Sequence, residues 1–208
     1  MEASVSKAHI YKFLAEALNY PVEEFLSALR SKDYAAGMRE AAAGQPEAVG
    51  EALKGLEKFY QDTSKDPKEW LLELEKDYTR MFLASRPRLV HLFESVYKEG
   101  KLYQESTFEI ARVYHQAGLV PSEEFRLPPD HIALEFELMA YLAFQETEAK
   151  RSGNKENEEY AALLQEKVLN EHLRPFALNV AERMAEHAKT EFYRVVARII
   201  MAVIIQPL

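Results

Sequence analysis

Apolar side chains return every three or four positions along most of this chain, the spacing of helices that bury one face. Ile10, Leu14, Ala17 and Leu18 share a face of a first helix predicted over Ser4 to Leu18 and stopped before Pro21. Pro21 opens a short second helix through Val22, Phe25, Leu26 and Leu29, and Asp33 starts a third that ends near Gly44. Pro46 begins a fourth, in which Val49, Leu53, Leu56 and Phe59 recur at helical spacing. The fifth has the clearest start: Asp66-Pro67-Lys68-Glu69 combines a capping box with proline at the first helical position. Behind it Leu71, Leu74, Tyr78, Met81 and Phe82 form an apolar stripe.

Ser85 to Tyr103 reads as a long loop, rich in large side chains for a connection. Ser106-Thr107-Phe108-Glu109 is a second capping box, and its helix runs to Gly118, a left-handed stop. Pro128-Pro129-Asp130, with Asp130 read as the N-cap, starts a helix to about Lys150. That helix is apolar nearly all round, as expected of the buried centre of a fold. Ser152-Gly153-Asn154 breaks the chain before a polar helix from Lys155 to about Leu169. Two more follow, near Pro175 to His187 and Thr190 to Ile205. There is no internal repeat, heptad run or domain-grade linker. The expectation is a single all-α domain over residues 1–208, a bundle of roughly ten helices, with a loop-containing hinge region at 85–127.

Composition supports helix. Of the 34 acidic residues all but five are Glu, which tolerates helix interiors where Asp does not. Seven Gly in 208 residues disfavour a β-sandwich or a collagen-like chain. Zero Cys excludes disulfides, thiolate metal sites and a cysteine nucleophile, and fits the cytoplasm. No signal peptide is predicted, and the most apolar run, Ile199 to Ile205, is far too short to span a membrane. The net charge of −8 argues against nucleic acid and anionic membranes and favours basic partners.

Enzymatic signatures are poor. None of the six His follows a Glu by three residues, so the Glu-x-x-His pairs of a di-iron bundle are missing. His131 and Glu135 could share a helix face and hold one metal, with His91 or His172 as further ligands, in a metal-dependent hydrolase or oxidase. A capped helix start beside a solvent-facing Glu explains the first pair equally well. Gly50 and Gly55 have phosphate-loop spacing, but Leu56 stands where lysine is required.

Two clusters stand out, His91 to Tyr97 in a predicted loop and Pro128-Pro129-Asp130-His131 at the head of the central helix. In this order they resemble the TorD/DmsD/NarJ group of chaperones for molybdenum-containing respiratory oxidoreductases. Tyr78-Thr79-Arg80-Met81-Phe82 is similar to that family's tyrosine-to-Leu-Phe segment, and Glu94-Ser95-Val96-Tyr97 to its Glu-Ser-Val-Tyr turn. Tyr114 with Ala117-Gly118-Leu119 resembles its Tyr-x-x-x-Gly-Leu helix end. Pro129-Asp130-His131 and the helix after it resemble the Asp-His signature, and Glu171-His172-Leu173 with Pro175-Phe176 the late His-Leu element. The likeness spans about Tyr78 to Phe176. Leu83-Ala84-Ser85 and His91-Leu92 depart from the family's proline-containing pattern, and Leu127 stands where an acidic residue is common.

The resemblance implies an all-helical, cytoplasmic binding protein rather than an enzyme. It implies a receptor for the twin-arginine leader of the apo-form of a molybdopterin oxidoreductase subunit, held until cofactor insertion, with no resident cofactor. It also implies a monomer or homodimer, domain-swapped in some members, and weak guanine-nucleotide binding for some. Nothing in the sequence independently supports a nucleotide site. A leader offers two guanidinium groups and then an apolar stretch, so its receptor needs carboxylate beside an apolar groove. Asp130 and His131 are the polar candidates, with Glu94 and Ser95 beside them; Tyr78, Met81, Phe82, Phe93 and Tyr97 are candidate walls. The same aromatics sit at helical spacing and read equally as core.

Overall fold

The computed structural model describes residues 3–61, 66–84, 86–120 and 127–208; parts of the 85–127 region, Ser85 and residues 121–126, lie outside them. Among the described residues there are twelve α-helices, two π-helical segments and no strand. The all-helical expectation therefore holds. The helices are α1 (Ala3–Ala17), α2 (Glu23–Leu29), α3 (Lys32–Ala42), α4 (Glu47–Lys54), α5 (Glu57–Gln61) and α6 (Pro67–Tyr78). After a π-segment at Thr79–Ala84 come α7 (Glu94–Glu99), α8 (Glu105–Gln116), α9 (Ile132–Ser152) and α10 (Lys155–Lys167). A second π-segment, Val168–Leu173, leads without a break into α11 (Arg174–His187), and α12 (Glu191–Ile205) closes the fold.

Helix α9 is the centre, packed on α1 along one side and on α10 along another. Tyr11 of α1 stacks on Phe136 of α9 with ring centroids 6.2 Å apart. The last two helices pair with each other, and α12 also packs on α4. Phe192 at the start of α12 sits among Phe13, Phe25, Phe59 and Trp70, with centroids 5.5 to 6.5 Å away. The buried apolar side chains form one contiguous cluster from Ile10 to Ile204.

Several boundaries differ from expectation, each for a physical reason. The predicted fourth helix is two, α4 and α5, broken at Gly55 and Leu56. A Cβ on Gly55 would stand 3.0 Å from Val195 of α12, so α12 packs directly against this joint. Asp66 caps α6 as predicted, accepting from the backbone N–H of Lys68 at 2.8 Å. Helix α8 starts one residue earlier than its capping box, and Ser106 bonds through both its N–H and its hydroxyl to Glu99 of the preceding helix. The predicted 85–103 loop contains α7. Gly118 is left-handed at φ 76°, as a helix stop requires. Helix α9 is not apolar-buried all round: Phe144 is 53% exposed.

Candidate functional site

The two sequence clusters meet. Leu92 and Phe93 run extended beside His131 and Ile132: the Ile132 N–H donates to the Leu92 carbonyl at 2.8 Å, and Phe93 and His131 form an isolated antiparallel bridge. Their rings meet edge to face at 5.0 Å. Asp130 then closes the junction. Its carbonyl accepts from the N–H of Glu94 at 2.9 Å, and its carboxylate Oδ2 accepts from the N–H of Ser95 at 2.9 Å.

Helix α7 has no side-chain cap of its own at Phe93. The first N–H groups of a helix need acceptors and favour negative charge. Asp130 supplies both from another part of the chain. It is thus the cap of α7, not of α9 as its position before the central helix suggested. The cap of α9 is His131, whose Nδ1 accepts from the Ala133 N–H at 3.2 Å. That bond requires an unprotonated Nδ1 and places the ring proton on Nε2. Burial pushes the His131 pKa down to about 4, against the raising effect of the Asp130 charge, so the ring is neutral at pH 7.

Behind this junction lies a buried polar frame. Glu94 is fully buried; one oxygen meets Lys98 Nζ at 2.9 Å and the other His172 Nδ1 at 3.0 Å. Lys98 also donates to the Glu171 carbonyl at 3.3 Å, so α7 is fastened to the second π-segment. Two acidic side chains on α9 and its entry end in oxygens without a hydrogen-bond partner among the described residues: Asp130 Oδ1, and both oxygens of fully buried Glu135. Burial raises the Glu135 carboxyl well above the ordinary range, reinforced by Glu94 and Asp130 and opposed by Lys98. That shift favours the protonated form, which lowers the cost of keeping three carboxyl groups behind one junction.

The remaining sequence candidates divide into two groups. Tyr97 is half-buried, with its hydroxyl donating to the His91 carbonyl at 3.0 Å and its ring 5.8 Å from that of Phe176. It belongs with half-buried Phe93 to the outer edge of the junction. Tyr78, Met81 and Phe82 lie in the apolar core: the Tyr78 hydroxyl donates to the Leu18 carbonyl at 3.1 Å, and its ring lies 4.6 Å from Phe82. Ser95 is fully buried beside Asp130. Lys98 was missed by sequence reasoning, although its position four residues after Glu94 was a usable signal. His172 was noticed for its place in the late His-Leu element, but its partner Glu94, 78 residues away, was invisible.

As for metal chemistry, His131 spends Nδ1 on its own helix, and among the described residues no group of three or more His, Asp or Glu is placed to hold an ion. The arrangement fastens, orients and buries: an all-helical fold whose α7 and α9 are joined by a buried polar frame.

The comparisons agree. The chain matches the family model described as nitrate reductase delta subunit over residues 42–182. It belongs to that family, the one that also includes TorD. A curated relative, the chaperone protein TorD of Escherichia coli O7:K1 (strain IAI39 / ExPEC), is 34% identical over 73 residues, covering 35% of this chain and 34% of that protein. The match thus spans about a third of the relative's length. A solved structure assigned as a redox enzyme maturation protein from Archaeoglobus fulgidus superposes with a TM-score of 0.55 at 21% identity, over 93% of this chain and 90% of that one. It shares the fold. These relatives are chaperone and maturation proteins, not catalysts. Among the described residues no helix is long and apolar enough to cross a membrane.

Proposed function

We propose that this protein is a maturation chaperone for a molybdopterin-containing oxidoreductase subunit. In this reading it binds the subunit's twin-arginine leader, and also its mature part, and holds the apo-form in the cytoplasm until the cofactor is inserted. The observation that carries the reading is membership of the nitrate reductase delta subunit family over residues 42–182, a span that contains the whole junction and its frame.

The physical chemistry is consistent with that role. A chain of net charge −8 attracts a cationic leader at long range, and the encounter weakens with salt. Asp130, Glu94, Ser95 and His131 act in this proposal as the frame of the recognition surface: they are buried and fix α7 against α9. Phe93 and Tyr97 present half-buried rings along the edge of that frame. Tyr78, Met81 and Phe82 back it from the core.

The test is co-expression with a molybdopterin subunit from the same genome whose N-terminus carries an arginine pair. The expected result is co-purification of the cofactor-free subunit, reduced when the leader is deleted. Recovery of the subunit only in its cofactor-loaded form, or no recovery at all, contradicts the proposal.

A further inference from the structure

The arginines of this acidic chain are not used alike. Arg39, Arg80, Arg112, Arg151, Arg194 and Arg198 each pair with a carboxylate. Arg174 donates to the Asn170 side chain, and Arg30 lies over the ring of Trp70. Three remain. Among the described residues Arg86, Arg88 and Arg183 make no ion pair, and the fold gathers them on one stretch of surface.

The gathering follows from how residues 86–92 cross α11. The Val90 N–H donates to the Met81 carbonyl at 3.1 Å, and the Val90 and Leu92 side chains are buried. With those two turned inward, Arg88, Leu89 and His91 stay half-buried at the surface, and Arg86 is exposed. Arg183 of α11 donates from Nε to the Leu89 carbonyl at 2.6 Å, which sets its guanidinium beside the backbone joining Arg88 to His91. Tyr97 closes the other side: its hydroxyl donates to the His91 carbonyl at 3.0 Å, and the two rings meet edge to face at 6.5 Å. Burial and the charges of Arg88 and Arg183 hold His91 below its ordinary range, so its ring adds a hydrogen-bonding edge and no further charge at pH 7. The acids nearest on α11, Glu182 and Glu186, pair with neither arginine; Glu186 lies 3.6 Å from His187 instead.

Cations gathered without a counter-charge repel one another, and an anion brought among them relieves that repulsion. Each guanidinium offers a planar fork of N–H donors that fits a carboxylate in two parallel bonds. The donors do not close round one point. They form a row from the 86–88 stretch to α11, and the row runs on into the half-buried rings of Tyr97 and Phe93. A row of forks beside aromatic rings suits a segment carrying several carboxylates and an apolar side chain among them.

We propose that Arg86, Arg88 and Arg183, with His91 and Tyr97, form a docking surface for an acidic polypeptide segment of a partner protein. Its sign is opposite to that of the chain as a whole, at −8, and it repels a cationic leader. The inference is therefore independent of the leader-binding reading and stands or falls by itself.

The experiment is fluorescence anisotropy of a labelled synthetic peptide, Glu-Glu-Phe-Glu-Glu, against the full chain. It is run at physiological ionic strength, where charges farther apart than about 8 Å are largely screened. The wild type is expected to bind, although its net charge repels the peptide. Arg86→Glu/Arg88→Glu is expected to weaken binding by about tenfold or more. Arg183→Gln, on a different element, is expected to weaken it as well, and unchanged helical circular dichroism verifies the fold of each variant. Lys150→Glu/Lys155→Glu makes the same change of net charge at the opposite end of α9, and is expected to bind as the wild type does. No binding by the wild type overturns the proposal. So does wild-type affinity in both arginine variants, or equal weakening by the two double variants. Inorganic phosphate that binds more tightly than the peptide would make this a small-anion site and overturn the docking surface.

Discussion

Ser95 and Asp130 lie 35 residues apart, and the N–H of Ser95 donates to the Asp130 carboxylate at 2.9 Å in a fully buried setting. Together with the backbone bonds from Glu94 to Asp130 and from Ile132 to Leu92, it joins the two sequence clusters, and it gives α7 its cap at the entry to α9. Asp130→Ala leaves the Ser95 N–H buried without an acceptor, and is expected to cost about 1–3 kcal/mol in stability. Asp130→Asn keeps an acceptor and should cost less than half as much. Urea denaturation of the three proteins checks the order.

Asp77 is a second buried carboxylate that fastens a distant segment. Its Oδ2 accepts from the N–H of Lys189 at 2.9 Å, the N–H of Thr190 at 2.7 Å and the Thr190 hydroxyl at 2.9 Å, fastening the α11–α12 connection; its Oδ1 meets Arg80 at 2.7 Å. Asp77→Ala is expected to destabilise by about 3 kcal/mol, more than Asp130→Ala, because several donors are orphaned together. Thermal unfolding monitored by circular dichroism gives the comparison.

His131 makes stability pH-dependent with a definite sign. Its folded pKa, pushed down to about 4 by burial, lies below the ordinary value of 6.5, so the unfolded chain binds the extra proton first. Its contribution is fully present above pH 6.5 and is lost as pH falls toward 4, to a total of about 3 kcal/mol at most. Glu135 acts oppositely: its raised pKa gives stability that is present below the ordinary carboxyl range and lost as pH rises toward its folded value. His131→Asn keeps a cap for Ala133 without a titrating ring, and should flatten the acid limb. Glu135→Gln should flatten the alkaline side instead. Denaturation midpoints measured from pH 4 to 9 separate the two.

Gly55 lies where α12 packs on the α4–α5 joint, and a Cβ there would stand 3.0 Å from both the Ala52 carbonyl and Val195. Gly55→Ala should therefore destabilise by about 1–3 kcal/mol although alanine is the better helix former. A combined Gly55→Ala/Val195→Ala variant tests the steric origin: the two costs should not add.

How far these features were legible follows from the range of the interactions involved. Asp66 was readable as a cap because its partners, Lys68 and Glu69, are two and three residues away. Asp130 was an equally strong capping signal, but its partner is 35 residues distant, so sequence assigned it to the wrong helix. Glu99 displaced a sound local capping box at Ser106 in the same way. Periodicity located the apolar stripe with Tyr78, Met81 and Phe82, but could not say whether these three wall a groove or fill the core, where they lie. The exposed side of α9 at Phe144 depends on where the other helices pack, which no local pattern encodes.

The central claim, that this chain is a receptor for a twin-arginine leader, is tested most directly by isothermal titration of the wild-type protein with the synthetic leader of a molybdopterin subunit from its own genome. The account predicts stoichiometric binding that weakens as salt is raised and disappears when the arginine pair is replaced by alanine. No binding at low salt, or binding that ignores both the salt and the arginine pair, would contradict it.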